Sequence, residues 1–174
     1  GKWQEVVIGR DSITVQFDPV RMRPKEALNM LRDATSMHTD VEVPKSAHVT
    51  LTIATDARSA PDLSACAERN GLGIPEFLQR IQTSNLQVDM LGFSPGFAYV
   101  RGVDSSLDGT RLDIPRQRVR AGSIGFIAGF LGIYALDGPG GWPIIGHTDA
   151  PLFDKTAENP FLLMAGTKLQ VQWI

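Results

Sequence analysis

The hydrophobic pattern of the first forty residues changes from a period of two to a helical period. Over Ser12–Phe17, apolar residues alternate with polar ones, which is typical of a strand with one buried face. The following residues, 18–37, carry Ala27, Leu28, Leu31 and Ala34 at helical spacing, with Pro24 near the first turn, and they predict a helix. A strand followed by a helix is half of a small α/β unit, so we expect further sequence to precede Gly1.

The remainder of the chain predicts a second unit that is mainly β. A strand is predicted over 46–54 and short helices over 61–71 and 74–83. From Leu86 onward, short apolar runs alternate with Gly, Pro and Asp turns, and regular alternation returns over 167–174. Many short strands with few helices indicate a closed or partly closed β-barrel. We place the boundary near Asp40 to Val43, giving a partial α/β domain over 1–40 and a barrel over 41–174.

An uncharged run from Ala121 to Leu136 raises the possibility of a membrane span. As a helix it would reach about 24 Å, short of the roughly 30 Å of a hydrocarbon core. It also contains four glycines, each of which costs roughly 1 kcal/mol in a helix exposed to water. The run therefore predicts two buried strands joined by a glycine bend, with no helix and no membrane insertion.

Composition narrows the class of protein further. The 174 residues include 17 Lys and Arg and 19 Asp and Glu, with a formal charge of −2, and the charges are well mixed. This mixture argues against a general nucleic-acid or anionic-membrane binder. Cys66 is the single cysteine, so no internal disulfide can form, and we expect a reducing, cytoplasmic location.

Familiar nucleotide, DNA, metal and nucleophile motifs do not account for the sequence. The predicted helices over 61–83 imitate a helix-turn-helix, but the second carries one cation, Arg80, so helices that plug a barrel end are favoured. "MAGTK" lacks the first glycine of a phosphate loop, so ATP would bind without this motif or through another chain.

His38, His48 and His147 stand apart from other ligands, and we predict no metal site. Ser123 lies between glycines without the spacing of a nucleophile elbow.

Three loops rich in glycine and proline, over 92–102, 114–125 and 138–148, hold the candidate site. They combine aromatic, cationic and hydroxyl side chains, which are typical of a pocket for a small, planar, anionic or amide-bearing ligand, or of a partner interface. The alternative is that glycine and aromatic residues only shape a corner of the barrel. The candidate residues are Phe93, Phe97, Tyr99, Arg116, Arg118, Ser123, Trp142, His147 and Thr148.

Several motifs in these loops and beyond them resemble one family in order and spacing. The motifs are "LGFSPGFAYV", "PRQRVRAGSIG", "GIYALDGPGGWPIIGHT", "LFD" and "ENPFLLMAGTKLQVQW". They resemble the B-type subunit of 5-oxoprolinase, also named allophanate hydrolase subunit 1, a family that includes the sporulation-kinase inhibitor KipI. The resemblance covers nearly the whole chain. It implies a cyclophilin-like β-barrel preceded by part of a small, ferredoxin-like α/β domain.

The resemblance also implies a function. Members work beside a second cyclophilin-like protein, the C-type subunit, and with a third subunit they cleave 5-oxoproline to glutamate at the expense of ATP. Related modules form the carboxyltransferase part of biotin-dependent urea carboxylase. We therefore expect a lactam or amide substrate, ATP at the level of the complex, and no activity of the chain alone. The family pattern suggests that Arg116, Arg118, Ser123 and Trp142 line the functional cleft, with the loop of Phe93 to Tyr99 as one wall.

Three departures from the family pattern leave two hypotheses open. Phe130 and Leu131 replace a polar Gln-Thr pair, Arg120 replaces a proline, and His147 replaces an arginine before Thr148. We expect the loss of the Gln amide, the Thr hydroxyl and the arginine guanidinium to remove hydrogen-bond donors from one neighbourhood, so either the substrate differs or the chain has acquired a binding role. The arginines favour an enzyme subunit that holds an anionic carboxylate. A contact patch of Phe130 and Leu131 would favour a KipI-type inhibitor of a histidine kinase.

Overall fold

A computed structural model describes residues 3–9, 11–36 and 47–174. The chain divides into two compact units, Gly1–Lys45 and Ser46–Ile174. The predicted boundary near Asp40 to Val43, and also His38, lie outside the described residues. Within the described part of the chain, no helix combines the length and the apolar character that a membrane span needs.

The first unit contains a hairpin and a helix, with the bounds β1 (Glu5–Ile8), β2 (Ile13–Gln16) and α1 (Pro24–Ser36). The predicted helix is confirmed, and Pro24 occupies its first position, where its missing N–H costs no helical hydrogen bond. The sequence predicted a single strand over Ser12–Phe17, and this was incomplete because β1 precedes it and pairs antiparallel with β2. A tight turn explains the difference, since the Gly9 N–H donates to the Ser12 carbonyl at 2.8 Å.

The described residues of the second unit form nine strands and two helices. They are β3 (His48–Ile53), α2 (Leu63–Arg69), α3 (Ile74–Gln82), β4 (Gln87–Leu91), β5 (Ala98–Arg101), β6 (Arg116–Val119), β7 (Ser123–Ile127), β8 (Phe130–Ile133), β9 (Gly138–Gly140), β10 (Ile144–His147) and β11 (Lys168–Trp173). Seven of these strands form one sheet in the order β10-β7-β8-β5-β4-β11-β3, and β6 pairs separately with β9.

The seven-stranded sheet forms a nearly closed barrel, as predicted. Its two outer strands meet at one bridge, where His147 and Ala54 exchange backbone hydrogen bonds of 3.0 and 2.7 Å. This contact leaves less unpaired strand edge, which is a common liability of open sheets. The barrel therefore closes at the backbone of His147.

The helices α2 and α3 contribute to the barrel core, as predicted. Cys66 of α2 and Phe77 of α3 belong to the same buried cluster as the inward residues of the strands. The Phe77 ring meets the Phe126 ring edge-on, with centroids 5.2 Å apart. The Trp173 Nε1–H also donates to the Leu78 carbonyl at 3.0 Å, which ties α3 to the end of β11. The apolar faces of these helices therefore serve packing.

The uncharged run Ala121–Leu136 forms the β7–β8 hairpin, and the predicted absence of a helix is confirmed. The pairing places Gly125 opposite Gly132. A Cβ at Gly132 would lie 2.6 Å from Cζ of Phe97, and one at Gly125 would lie 2.9 Å from Cβ of Trp142. The two glycines therefore leave the space in which aromatic side chains pack against the sheet.

Candidate functional site

The aromatic residues of the predicted site form a packed cluster. The Phe97 ring makes edge-to-face contacts with Phe93, Tyr99, Tyr134 and Trp142 at centroid distances of 5.3, 4.8, 4.9 and 6.0 Å. Phe97 and Trp142 are 2% and 5% exposed. Such rings contribute most by burial, with roughly 0.5–1.5 kcal/mol for each well-oriented pair. The aromatic residues that were expected to form one wall of a cleft thus form a hydrophobic layer outside the barrel core.

Phe93 differs from the rest of this cluster. It is 64% exposed and has a φ of 66°, and no other non-glycine residue among those described has a positive φ. This conformation costs on the order of 1–3 kcal/mol for a residue other than glycine. The contact between the rings of Phe93 and Phe97 helps to hold the loop in this form.

The cationic and hydroxyl residues of the predicted site meet in a separate cleft of about 200 Å³. Its lining comes from β6, the start of β7, β10 and the segment before α2. The lining residues are Arg58, Ser59, Pro61, Arg116, Arg118, Val119, Arg120, Ser123, Ile144 and His147. The structure therefore brings together four predicted residues, Arg116, Arg118, Ser123 and His147. Thr148 is buried and lines an adjoining cavity of about 250 Å³ with Arg120 and His147.

Arg116 is held in the cleft by an aspartate that sequence reasoning missed. Its Nη2 donates to Oδ1 of Asp62 at 2.7 Å. The other oxygen, Oδ2, accepts the Ile144 N–H at 2.6 Å, while the Asp62 N–H donates to the Ile144 carbonyl at 3.0 Å. Asp62 is therefore tied to β10 through both its backbone and its carboxylate, and it fixes one edge of the guanidinium.

The other edge of this guanidinium has no partner. Nη1 of Arg116 is buried and makes no hydrogen bond, and no other side-chain nitrogen or oxygen in the described part of the chain shares this state. A buried donor without an acceptor costs about 1–3 kcal/mol. Because Nη1 has almost no exposed surface, a ligand oxygen reaches it only if neighbouring residues move.

The arginines at the rim of the cleft are paired with aspartates. Arg118 donates from Nη2 and Nε to Oδ2 of Asp137, at 2.6 and 3.1 Å. Oδ1 of Asp137 accepts the Ala121 N–H at 2.8 Å. The Ala121 N–H and the Arg118 guanidinium hold the pKa of Asp137 below its usual value. Arg120 lies 3.4 Å from Oδ1 of Asp149.

His147 has a fixed protonation pattern on one side of its ring. Its Nε2 lies 2.9 Å from the Ala121 carbonyl and must carry a proton, because a carbonyl oxygen can only accept. Its Nδ1 faces Oδ1 of Asp149 at 3.5 Å. Gly122, with a φ of 86°, leaves room for the ring, since a Cβ there would lie 2.7 Å from Nε2. Ser123 lies directly opposite His147 in the sheet, and its hydroxyl makes no hydrogen bond to any described residue.

Arg58 and Ser59 complete the cleft and were not predicted. They follow β3, and no pattern in that segment connects them with loops that come more than fifty residues later. Arg58 is exposed, and its guanidinium has no ion-pair partner among the residues that the structure describes. It is therefore the uncompensated cation of the cleft.

A second cavity of about 210 Å³ includes Asp62, Cys66, Arg69 and Arg111 in its lining. Burial raises the pKa of the Cys66 thiol to about 11, so the group is protonated at neutral pH. A protonated thiol is a poor nucleophile and a poor metal ligand. No group of three or more His, Cys, Asp and Glu residues in the described ranges is arranged to hold a metal ion.

The expected contact patch of Phe130 and Leu131 is not present. Leu131 is 0% exposed and belongs to the barrel core, because the alternation along β8 turns it inward. Phe130 pairs with Ile127 at the turn end of the hairpin, whereas His147 pairs with Ser123 at the open end. Phe130 and Leu131 therefore lie away from His147, whereas Arg120 and His147 line the same cleft. The inhibitor hypothesis loses the feature that favoured it, because Leu131 is not on the surface.

Comparison with known proteins identifies the family. The carboxyltransferase domain, subdomain C and D, matches residues 2–163. The 5-oxoprolinase B-type subunit of Escherichia coli O157:H7 is 31% identical over 166 residues, which cover 95% of this chain and 76% of the relative. The protein of the same name from Haemophilus influenzae is 32% identical over 168 residues, covering 93% and 75%. The chain belongs to the carboxyltransferase-domain family, in the group of 5-oxoprolinase B-type subunits, as the motifs predicted.

Solved structures agree on the fold. PH0987 from Pyrococcus horikoshii, 30% identical, superposes with a TM-score of 0.70 over all of this chain and 80% of its own. TTHA0988 is 28% identical with a TM-score of 0.75, covering 93% of this chain and 31% of its own. The Kluyveromyces lactis urea carboxylase is 20% identical with a TM-score of 0.78, covering 99% and 18%. The chain thus spans about three quarters of the two relatives and less than a third of TTHA0988.

Proposed function

We propose that this chain belongs to the B-type subunit of a heteromeric, ATP-dependent complex that opens the lactam 5-oxoproline to glutamate. The family and the names of its relatives support this proposal. A second cyclophilin-like protein, the C-type subunit, is the proposed partner, and ATP is bound at the level of the complex. The free, buried thiol of Cys66 is in keeping with a cytoplasmic complex.

The observation that carries the proposal is the cleft around Arg116. 5-Oxoproline offers one carboxylate and one ring amide, which together require cationic donors and neutral hydrogen-bonding groups. The cleft provides the Arg116 guanidinium, whose buried Nη1 has no hydrogen-bond partner, together with the unpaired Arg58 and the unbonded Ser123 hydroxyl. An arginine-carboxylate hydrogen bond of this kind contributes roughly 1.5–3 kcal/mol.

Reconstitution tests the proposal. The chain, in its full-length subunit, is co-expressed with the C-type subunit and the third subunit from the same organism, and glutamate release from 5-oxoproline is followed with and without ATP. We expect the subunits to co-elute, since a stable interface buries on the order of 1,600 Å², and glutamate to form only with ATP. An assembled complex that releases no glutamate from 5-oxoproline would overturn the proposed reaction.

A further inference from the structure

The two outer strands of the seven-stranded sheet differ in how their free edges are covered. On β10, Ile144 exchanges hydrogen bonds with Asp62, and His147 exchanges them with Ala54. On β3, the backbone beyond the bridge at Ala54 has no partner on its outer edge among the residues that the structure describes. The edge of β3 is therefore the open side of the barrel sheet.

The pairing of β3 with β11 fixes which backbone groups are free. The two strands are parallel in an unbroken register, in which the Lys168 N–H donates to the Ala47 carbonyl at 2.8 Å and the Ile174 N–H donates to the Ile53 carbonyl at 2.9 Å. Successive residues of a strand turn their N–H and C=O groups to alternate sides, so the odd-numbered residues of β3 face β11. The groups that point to the outer edge belong to His48, Thr50 and Thr52.

The chain itself turns away from this edge. Because β10 is antiparallel to β3 at their bridge, the residues after His147 would continue along β3 if they stayed extended. Instead, the Thr148 N–H donates to the Gly122 carbonyl at 2.9 Å, and Pro151 has no N–H to offer a ladder. The strand that would complete the pairing of β3 is thus not supplied from β10.

The edge also lacks the features that usually block strand addition. Exposed edges are commonly protected by a lysine, a proline or a bulge. The sequence HVTLTI of β3 contains no lysine or proline, and its register with β11 has no bulge. The side chains of Thr50 and Thr52 are exposed, while Leu51 and Ile53 belong to the core. A regular strand with a polar outer face is therefore open to pairing.

We propose that β3 pairs antiparallel with β3 of a second copy of this chain, about a twofold axis at Thr50. Thr50 then lies opposite its counterpart, and His48 of each copy lies opposite Thr52 of the other. Each of these pairs exchanges both of its N–H···O bonds, because all the groups concerned already point to the outer edge. A twofold contact of this kind is self-complementary, so one edge serves both copies.

The charges of the surrounding surface favour a second copy over an acidic partner strand. On the outer faces of β3 and β11, Lys168 is the one residue with a fixed charge, and there is no carboxylate. The twofold axis places the two copies of Lys168 at opposite ends of the paired strands, so like charges do not meet. Thr–Thr pairs across neighbouring strands are favourable.

The length of the edge sets the strength of the contact. Residues 48–52 span about 17 Å at roughly 3.4 Å per residue. Such a contact belongs with interfaces below about 1,200 Å², which are weak and transient. We therefore expect a reversible equilibrium of monomer and dimer, and this inference does not depend on the proposed reaction.

The test uses the 174-residue chain, alone and at increasing concentration. In sedimentation velocity, the mean mass is expected to rise from 19.0 kDa towards twice that value. Amide exchange measured by NMR should slow at Thr50 and Thr52 at high concentration only, whereas Leu51, which faces β11, should be protected throughout. A chain that stays monomeric, with fast exchange at Thr50 and Thr52, overturns the inference, even if the edge accepts a strand of another protein.

A pair of variants locates the contact. Thr50→Lys places like charges opposite each other at the axis and is expected to raise the dissociation constant of the dimer at least tenfold. Gln170→Lys is the control, because Gln170 is exposed and lies beside Thr50 on β11, away from the edge; its dimer should be unchanged. An unchanged dimer in Thr50→Lys, or equal effects of the two variants, contradicts the proposal. Amide exchange uses the unsubstituted chain, so it decides the question even if Thr50→Lys fails to fold.

Discussion

Removal of the Asp62 carboxylate should destabilise the barrel and disorganise the cleft at once. Asp62 accepts two hydrogen bonds, one from Arg116 and one from the Ile144 N–H, and Ile144 is buried. Asp62→Ala removes both acceptors. The unpaired Ile144 N–H then costs about 1–3 kcal/mol, and the partly exposed pair with Arg116 adds about 1 kcal/mol after allowance for solvent screening. We expect a total loss of about 2–4 kcal/mol.

Asp62→Asn separates the two contributions. The amide oxygen of Asn can still accept one of the two hydrogen bonds, but the negative charge is lost, so we expect a loss of about 1–2 kcal/mol. Unfolding in urea is followed by near-ultraviolet circular dichroism, which reports on the aromatic cluster of the second unit. Asp149→Ala serves as the control, because Asp149 is 91% exposed and its ion pairs are long; we expect a change within about 0.5 kcal/mol. If Asp62→Ala were as mild as this control, the stabilising role given to the Asp62 hydrogen bonds with Arg116 and Ile144 would be refuted.

Packing and protonation lead to three further predictions. Gly132→Ala places a Cβ against Phe97 and Trp142 and should lower the free energy of unfolding in urea by about 1–3 kcal/mol. The control Gly138→Ala adds a Cβ with no atom within 4 Å and should change this free energy by less than about 0.5 kcal/mol. Equal effects of the two variants would contradict the packing described for Gly132. Cys66, with its pKa raised to about 11, should react slowly with Ellman's reagent at pH 8 and quickly in urea; fast labelling of the folded chain would show that the thiol is accessible. The pKa of Asp137 in the folded chain lies below the usual 3.8, so the carboxylate stabilises the fold above that pH, and this stabilisation is lost as the pH falls through the lower folded value. Asp137→Asn should therefore flatten the acid limb of the profile of unfolding free energy against pH. An unchanged slope would contradict the role given to Asp137.

The sequence was most informative where local patterns determine structure. The glycines and the uncharged run of Ala121–Leu136 were enough to predict two strands and a bend, because length and glycine content exclude the helical alternatives. The pairing of β3 with β11 is parallel and joins segments more than one hundred residues apart, and no local pattern encodes it. The predicted strand over Ser12–Phe17 corresponds to β2, and the hairpin was missed because β1 was not recognised as a separate strand before the turn at Gly9.

Only part of the candidate site could be predicted from local sequence patterns. Four residues of the cleft lie on strands or loops that are close in sequence, so the glycine-rich loops were enough to place them together. They are Arg116, Arg118, Ser123 and His147. Asp62 and Arg58 come from an earlier segment and meet these strands only through the closure of the barrel.

The aromatic residues show a different limit of sequence reasoning. Phe97 and Trp142 were expected to line a cleft, because aromatic side chains on glycine-rich backbone suit both a pocket and a packed layer. The cross-strand register decides between the two, since it places Gly125 beside Gly132 and leaves room for these rings on the sheet.

The Arg116→Lys variant of the reconstituted complex tests the central claim most directly. The lysine ammonium can keep an ion pair with Asp62, so the melting temperature should hardly change, but it offers no second nitrogen at the position of Nη1. We predict that kcat/KM for 5-oxoproline falls at least tenfold, equivalent to about 1.4 kcal/mol, while the Arg80→Lys control retains full activity. Equal kcat/KM values for the wild-type and Arg116→Lys complexes would contradict the assignment of this cleft as the substrate carboxylate site.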